Sequence, residues 1–312
     1  MIRLAFLGCG KIAKAHAKRL RKHKADVTVG FASRESVRAD AFAKECGGTS
    51  FGTYEDALGS ADVDAVAIVT PPDSHKDLAL RALAAGKHVV LEKPPVPRAA
   101  DFTPIAEAAA AAGKQVFVAE NYQYKPLLRR IRGLLADGLI GDVLFVHVNA
   151  IKYQDGAKDW RASYGALYEG GIHWIDFMAS LGLPVAAVRG HRPAPAVTPE
   201  RSMMVSFEYG GGPVGVLSYS WEVPATAKGL RLSKIYGRAG SITFETNGLW
   251  VLLHGKKTRI YIPGLRDLAG YGAMWADFVQ AWKTGKEPAM TLAQARKDLE
   301  LVEEAYATAG VS

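Results

Sequence analysis

Two cysteines in 312 residues are too few for a disulfide scaffold, and reduced thiols are the natural reading of Cys9 and Cys46. Neither has a His or Cys neighbour at ligand spacing, so no metal site is expected. Long apolar runs are missing too. The longest, such as Asp64-Ala-Val-Ala-Ile-Val-Thr70, have the length of a strand and not of a membrane span. No secretory signal is expected, because Ile2-Arg-Leu-Ala-Phe-Leu-Gly8 already reads as a strand. A soluble, cytoplasmic protein that uses no membrane is therefore expected. Aromatic residues do not interleave the basic cluster Lys11, Lys14, Lys18, Arg19, Arg21, Lys22 and Lys24, which reads as a solvated helix face and not as a nucleic-acid surface. Internal repeats, low-complexity tracts and long linkers are also missing.

What is present is 49% hydrophobic and 22% charged residues, enough to bury a core in each of about two domains at roughly 150 residues per domain. A net charge of +8 suits an anionic cofactor or substrate. Up to about residue 120, short apolar runs alternate with amphipathic stretches. Strands are expected at Ile2–Leu7, Asp26–Ala32, Ala65–Thr70, His88–Leu91 and Gln115–Ala119. Helices are expected at Ile12–His23, Ser36–Glu45, Ser74–Ala85 and Ala99–Ala112. The runs are continuous and not alternating, as when helices cover both faces of a parallel sheet. Residues 1–121 thus read as a doubly wound α/β (Rossmann) domain. Residues 122–312 change texture. A helix at Pro126–Leu139, a strand at Val143–Lys152 and a helix at Leu167–Leu181 precede six strand-like runs between Arg201 and Ile262. Helices at Tyr271–Thr284 and Leu292–Thr308 follow. This order implies an α+β domain with an open-faced, largely antiparallel sheet.

Gly8-Cys-Gly10-Lys11-Ile12-Ala13 stands between the first strand and first helix. The first Gly permits a tight turn, the second leaves room for a pyrophosphate, and Ala13 allows close helix–strand packing; helix N–H groups then face the phosphates. The second strand ends in Phe31-Ala-Ser33-Arg34-Glu35, without the acid that would bind the ribose diol of NAD. Ser33 and Arg34 suit a 2′-phosphate, so NADP(H) is the expected cofactor, with NAD(H) as the second choice. Thr70, Pro71 and Pro72 end a later strand at the crevice and suit the cofactor ribose; His75, just beyond, serves either the cofactor or a cap. Glu92-Lys93-Pro94-Pro95 follows another strand at the same crevice; Glu92 and Lys93 are expected beside the cofactor, and Lys93 can also donate a proton or hydrogen bond to a substrate oxygen. In Leu167-Tyr-Glu169-Gly-Gly171-Ile-His173-Trp-Ile-Asp176, a helix would place Glu169 and His173 on one face, and a carboxylate there suits His173 to acid–base work.

The glycine turn, Glu92-Lys93-Pro94 and Glu169-x-Gly171-x-His173, in this order, resemble the Gfo/Idh/MocA family. Asp159-Trp160-Arg161, Gly237–Phe244 and Gly285–Pro288 also resemble segments of it. The resemblance implies a Rossmann domain and a second domain whose sheet forms a subunit interface, hence a homodimer or homotetramer. It implies hydride transfer between a nicotinamide and a carbohydrate or polyol carbon, with Lys93 and His173 as the catalytic pair and Glu169 beside them. Asn121-Tyr-Gln123-Tyr-Lys-Pro126 resembles a segment with Asn121 at the cofactor and, at Gln123, commonly an Arg. Glu169 stands where Asp is usual, and Ser163-Tyr164-Gly165 replaces a longer glycine run, bringing Tyr164 to the substrate. Lys152, Tyr153, Trp160 and Arg161 fall in the segment expected to wall the substrate pocket, with core packing an equal alternative for Trp160. Two other readings of the same motifs are an enzyme that retains NAD and cleaves glycosides through transient oxidation, and a non-catalytic dinucleotide- or sugar-sensing regulator.

Overall fold

A computed structural model describes residues 1–154, 160–195, 197–224 and 230–311. Asp159 lies outside them. The chain forms two compact units, one of residues 1–120 with 271–296 and one of residues 121–270 with 297–312.

The first unit is built on β1 (Ile2–Leu7), β2 (Val27–Ala32), β3 (Thr49–Ser50), β4 (Ala65–Ile68), β5 (His88–Leu91) and β6 (Val116–Val118). They pair in the order β3-β2-β1-β4-β5-β6, all parallel. Strand order reverses between β1 and β4, which opens a crevice at their carboxyl ends. The helices are α1 (Lys11–Leu20), α2 (Ser36–Cys46), α3 (Tyr54–Gly59), α4 (His75–Ala84) and α5 (Phe102–Ala112). Leu4–Leu7, Ala65–Ile68 and Val89–Leu91 are all buried, which explains their unbroken apolar sequence. Two elements escaped the sequence pattern. β3 has two residues, and α3 is a six-residue helix held by a capping box in which Thr53 Oγ1 accepts from Asp56 N–H at 3.2 Å and Asp56 Oδ2 accepts from Thr53 N–H at 2.9 Å.

The second unit contains α6 (Pro126–Ala136), β7 (Val143–Ile151), α7 (Ile172–Ala179), β8 (Val185–His191), β9 (Ser202–Tyr209), β10 (Val214–Ser220), β11 (Leu232–Gly237), β12 (Gly240–Glu245), β13 (Val251–His254) and β14 (Arg259–Tyr261). The sheet order is β14-β13-β12-β11-β7-β10-β9-β8, antiparallel except for the β7–β10 pair. β8 was not anticipated, because Val185-Ala-Ala-Val-Arg-Gly-His191 is neither strongly apolar nor cleanly alternating. Along β7 and β9, Val146, Val148, Val205 and Phe207 are buried, while Phe145 and Met204 are exposed on this chain. Leu232 and Tyr236 of β11 are exposed as well.

α8 (Tyr271–Thr284) and the start of α9 (Leu292–Thr308) group with the first unit, although their place in the sequence suggests the second. The cause is aromatic packing. The Phe278 ring lies 4.9 Å from Phe117, the Trp282 ring 5.5 Å from Phe117, and Trp275 packs edge-on to Phe6.

Candidate active site

In the first unit the expected cofactor residues fall at strand ends along one edge of the parallel sheet. Gly8 turns out of β1 with φ +122°, a conformation that L side chains rarely adopt, and an added Cβ would press on the Val69 carbonyl at 3.1 Å. Gly10 is the N-cap of α1. Among the described residues no side chain caps this helix, its first turn carries no acid, and a Cβ added at Gly10 would meet nothing within 4 Å. Uncapped N–H groups beside open space form a cradle into which a pyrophosphate fits. Lys11 and Ile12 form the first turn, and Ala13 is fully buried behind it.

At the end of β2, Ser33 is buried and Arg34 exposed. Arg38, from the first turn of α2, donates to the Cys9 carbonyl at 3.1 Å, which brings a second guanidinium to the glycine turn. Burial raises the Tyr54 phenol above its usual range, with both guanidiniums close enough to oppose the shift. Arg38 was missed by sequence reasoning; its spacing of four from Arg34 was the available signal.

Beyond β4, Thr70 Oγ1 pairs with Ser74 Oγ at 2.7 Å; Pro71 is exposed, and Pro72 is buried at the start of a short 3₁₀ turn. His75 is fully buried. Its Nδ1 lies 3.0 Å from the Pro95 carbonyl and its Nε2 2.8 Å from the Thr70 carbonyl, while burial drives its pKa down. It braces two strand-end loops from inside. Glu92 is buried too: His16 Nε2 lies 2.7 Å from its Oε2, and Trp275 Nε1–H donates to His16 Nδ1 at 3.0 Å. That donation leaves the His16 proton on Nε2, aimed at the carboxylate. The sequence grouped Glu92 and His75 with the cofactor; the structure puts both side chains in the interior. Lys93, at the end of the same strand, is half-buried.

The second unit gathers aromatic and charged side chains around one helical segment. Leu167–Gly171 is a π-helical turn that runs straight into α7. A plain α-helix was expected here. The widening has a packing reason: a Cβ on Gly170 would overlap the Tyr219 hydroxyl, and one on Gly171 would lie 2.8 Å from Leu167 Cδ1. The π turn changes the register of Glu169 against His173, and each has a partner from another element. Arg161 Nε lies 3.3 Å from Glu169 Oε1. The Tyr122 ring lies face to face with His173, centroids 4.3 Å apart and planes 12° apart. Trp174 meets Tyr122 edge-on at 5.0 Å, and the Lys125 ammonium sits 4.2 Å from the Tyr122 centroid.

Around this core, Arg161 covers the Trp160 ring at 4.9 Å, Trp160 meets Tyr164 edge-on, and Tyr164 stacks on Tyr168 at 5.1 Å. Trp221 Nε1–H donates to Tyr219 Oη at 2.9 Å; burial first, and then the charge of Glu169, push the Tyr219 phenol well up. Gln123 Oε1 is buried with no hydrogen-bond partner among the described residues. Lys152 donates its N–H to the Ser220 carbonyl, and Tyr153 is exposed. Asn121 belongs to this unit, where its Nδ2 donates to the Ala269 carbonyl at 2.6 Å. No group of three or more His, Cys, Asp or Glu able to hold a metal occurs among the described residues, and no helix among them is long and apolar enough to cross a membrane.

Comparison with known proteins fits both units. Residues 2–120 match the model of an oxidoreductase family with an NAD-binding Rossmann fold, and residues 128–243 match a GFO/IDH/MocA C-terminal domain. The chain belongs to the Gfo/Idh/MocA oxidoreductase family. Among curated Gfo/Idh/MocA relatives, glucose-6-phosphate 3-dehydrogenase of Bacillus subtilis is 27% identical over 57% of this chain and 53% of its own length. Inositol 2-dehydrogenase of Rhizobium meliloti is 31% identical over 48% of this chain and 45% of its own. The match thus spans about half the length of these two relatives. A solved oxidoreductase from Thermotoga maritima superposes with a TM-score of 0.86 at 26% identity, covering 99% of this chain and 97% of that one. GenD2, from gentamicin A biosynthesis and solved in complex with NAD, gives 0.83 at 25% identity, covering 99% and 94%.

Within this Gfo/Idh/MocA chain, the structure gathers Trp160, Arg161, Tyr164 and Glu169 in one set of contacts and places His173 in a second, on the same helical segment. It adds Tyr122, Lys125 and Trp174, which sequence reasoning passed over. Their signal was aromatic and basic spacing in Tyr122-Gln-Tyr-Lys125, which resembles an ordinary turn until His173 stacks on it.

Proposed function

We propose that this protein is an NADP(H)-preferring dehydrogenase or reductase that moves a hydride between nicotinamide and a secondary alcohol or ketone carbon of a sugar, sugar derivative or cyclitol. The observation that carries the reading is the His173–Tyr122 stack beside the Glu169–Arg161 ion pair. Stacking fixes the imidazole plane, and proton transfer runs in that plane. Trp160 and Tyr164 supply flat faces suited to sugar C–H surfaces, while Arg161, Gln123 and Lys152 supply hydroxyl partners. Bound nicotinamide would accept or deliver the hydride.

In the oxidation direction, His173 takes the hydroxyl proton and Lys93 steadies the negative charge growing on that oxygen. Reduction runs the same proton steps in reverse. Glu169, held by Arg161, either orients the substrate or supports the imidazole. Gly8–Ala13, Thr70 and Pro71 receive the cofactor. Ser33 and Arg34, helped by Arg38, favour the 2′-phosphate of NADP(H) over NAD(H). Glucose 6-phosphate and inositol, the substrates in the relatives' names, head the candidates. The same reading places the protein in the cytoplasm as a homodimer or homotetramer joined through the sheet face that exposes Phe145, Met204, Leu232 and Tyr236.

The test is a panel of sugars, sugar phosphates and cyclitols with their keto forms, assayed with NADP and NAD by reduced-nicotinamide absorbance. Turnover of at least one polyol, with NADP favoured, is expected. Absence of net nicotinamide turnover across the panel defeats the reading.

A further inference from the structure

Glu200 is 2% exposed, in the loop before β9, and the reaction proposed above makes no use of it. Its Oε1 accepts from the Leu167 N–H at 2.7 Å and from the Tyr306 hydroxyl at 3.0 Å. Tyr306, on α9, accepts in turn from the Tyr168 N–H at 3.0 Å, and the Glu200 carbonyl accepts from the Ala166 N–H at 2.9 Å. Three consecutive amides at the start of the segment that carries Glu169 and His173 are thus satisfied by one carboxyl, one phenol and one carbonyl. These are the amides that a helix start leaves without intrahelical acceptors. Gly165 makes the arrangement possible, since a Cβ there would overlap Glu200 Oε2. That Oε2 is buried and has no hydrogen-bond partner among the described residues.

We propose that Glu200 is a positioning residue that anchors, with Tyr306, the start of the segment presenting Glu169 and His173, and that its proton sets how firmly this segment is held. The consequence for catalysis rests on the role assigned to His173; the anchor itself does not. The groups facing the carboxyl are the Tyr306 phenol from α9, the Leu167 and Ala166 amides, and the charge of Arg201, whose guanidinium lies over the Trp221 ring. Burial outweighs all of them and pushes the Glu200 carboxyl up to about 7. Below that point the buried group is neutral and the anchor closed. Above it a buried carboxylate has one oxygen without a donor, a strain that opening to water relieves.

Linkage gives the sign. An opened segment lets the carboxyl ionise near its ordinary 4.5, so closing consumes a proton between about pH 4.5 and about 7, and closure weakens as pH rises across that window. Amide exchange read by mass spectrometry, corrected for the intrinsic pH dependence, tests this on the full chain. Protection of Leu167 and Tyr168 is expected to fall about tenfold between pH 6 and pH 8 in the wild type and to stay level in Glu200→Gln, which keeps an acceptor for Leu167 but cannot ionise. Tyr306→Phe is expected to lower Tyr168 protection at every pH and to keep the wild-type inflection. With the polyol that the panel turns over best, kcat above pH 7 falls in the wild type relative to Glu200→Gln, with little change in KM for the cofactor. Level protection in the wild type, or an equal fall in Glu200→Gln, overturns the anchor. If no polyol is turned over, the reaction fails while the exchange data still decide the anchor.

Discussion

The two units prepare for their ligands by opposite means. In the first, the prepared surface is backbone and empty space: a left-handed Gly8, an uncapped α1 and a Gly10 with nothing near it. In the second it is side chain on side chain, with Tyr122 on His173, Arg161 on Glu169 and Glu200 on Tyr306. A backbone cradle tolerates change behind it and needs only its glycines. A side-chain network transmits change, because each member's position depends on another's. The contrast predicts where substitutions act: on cofactor binding at the glycine turn of the first unit, on both chemistry and folding within the side-chain network of the second.

The largest effect expected is catalytic. His173→Ala removes the proposed proton acceptor and should lower kcat by about 10²- to 10⁴-fold, the usual worth of a positioned general base. Lys93→Ala should lose turnover on a similar scale. Cofactor affinity, measured by nicotinamide fluorescence, should be largely kept in both. Activity within a few-fold of wild type in either variant removes that residue from the chemistry.

A second effect appears in stability against pH. Glu200 holds its proton to about 7 in the fold but ionises near 4.5 when unfolded. The stabilisation is complete below about pH 4.5 and lost as pH rises to about 7, and a shift of that size is worth about 3 kcal/mol. Denaturant titration should therefore show Glu200→Gln gaining on the wild type by about that amount between pH 4.5 and pH 8. A constant difference between the two proteins would show that the carboxyl does not titrate in this range.

How much of this was legible in the sequence follows from the same contrast. The parallel sheet, its continuous apolar strands and the Gly8–Ala13 turn depend on local pattern, and each could be read directly. The open-faced sheet was readable as a succession of runs, but its pairing of β7 with the distant β10 and β11 is long-range and leaves no local trace. The parts of the site that went unseen are tertiary. Lys125 is remarkable in no way until Tyr122 and Trp174 flank it. Glu200 follows a proline in what reads as plain loop, and its burial depends on α9, about a hundred residues later. The π turn at Leu167–Gly171 needs Tyr219 to explain its glycines, and the packing of α8 on the first unit needs Phe6 and Phe117. His75 and Glu92 also stand at strand ends, and their burial, His75 between the Thr70 and Pro95 carbonyls and Glu92 against His16, is tertiary as well.

Glycines sharpen the comparison further. Gly165→Ala drives a methyl into the Glu200 carboxyl and should cost about 1–3 kcal/mol of stability, as overpacking in a closed core does. Gly10→Ala meets nothing within 4 Å among the described residues and should change stability by less than about 1 kcal/mol, yet it narrows the proposed approach of a pyrophosphate and should weaken cofactor binding. Thermal unfolding and cofactor titration on both variants separate the two costs. Equal destabilisation would erase the distinction drawn between the units.

The smallest effect concerns the choice between two cofactors that differ by one phosphate. Arg34 is exposed at the end of β2, and Arg38 is tied by one nitrogen to the Cys9 carbonyl. An exposed guanidinium facing a phosphate in water gains little more than a kilocalorie per mole, because solvent screens the charge and the side chain loses freedom. Arg34→Ala should therefore weaken NADP binding about tenfold and leave NAD binding nearly unchanged. Arg38→Ala should weaken both: it removes charge near the proposed 2′-phosphate position, and it also frees the carbonyl of Cys9 inside the turn proposed to receive the pyrophosphate. High salt should shrink the Arg34 effect more than the Arg38 effect, since the Arg38–Cys9 hydrogen bond is not a charge pair. If Arg34→Ala weakens NAD and NADP alike, the guanidinium packs on the adenosine and the 2′-phosphate is not what it reads.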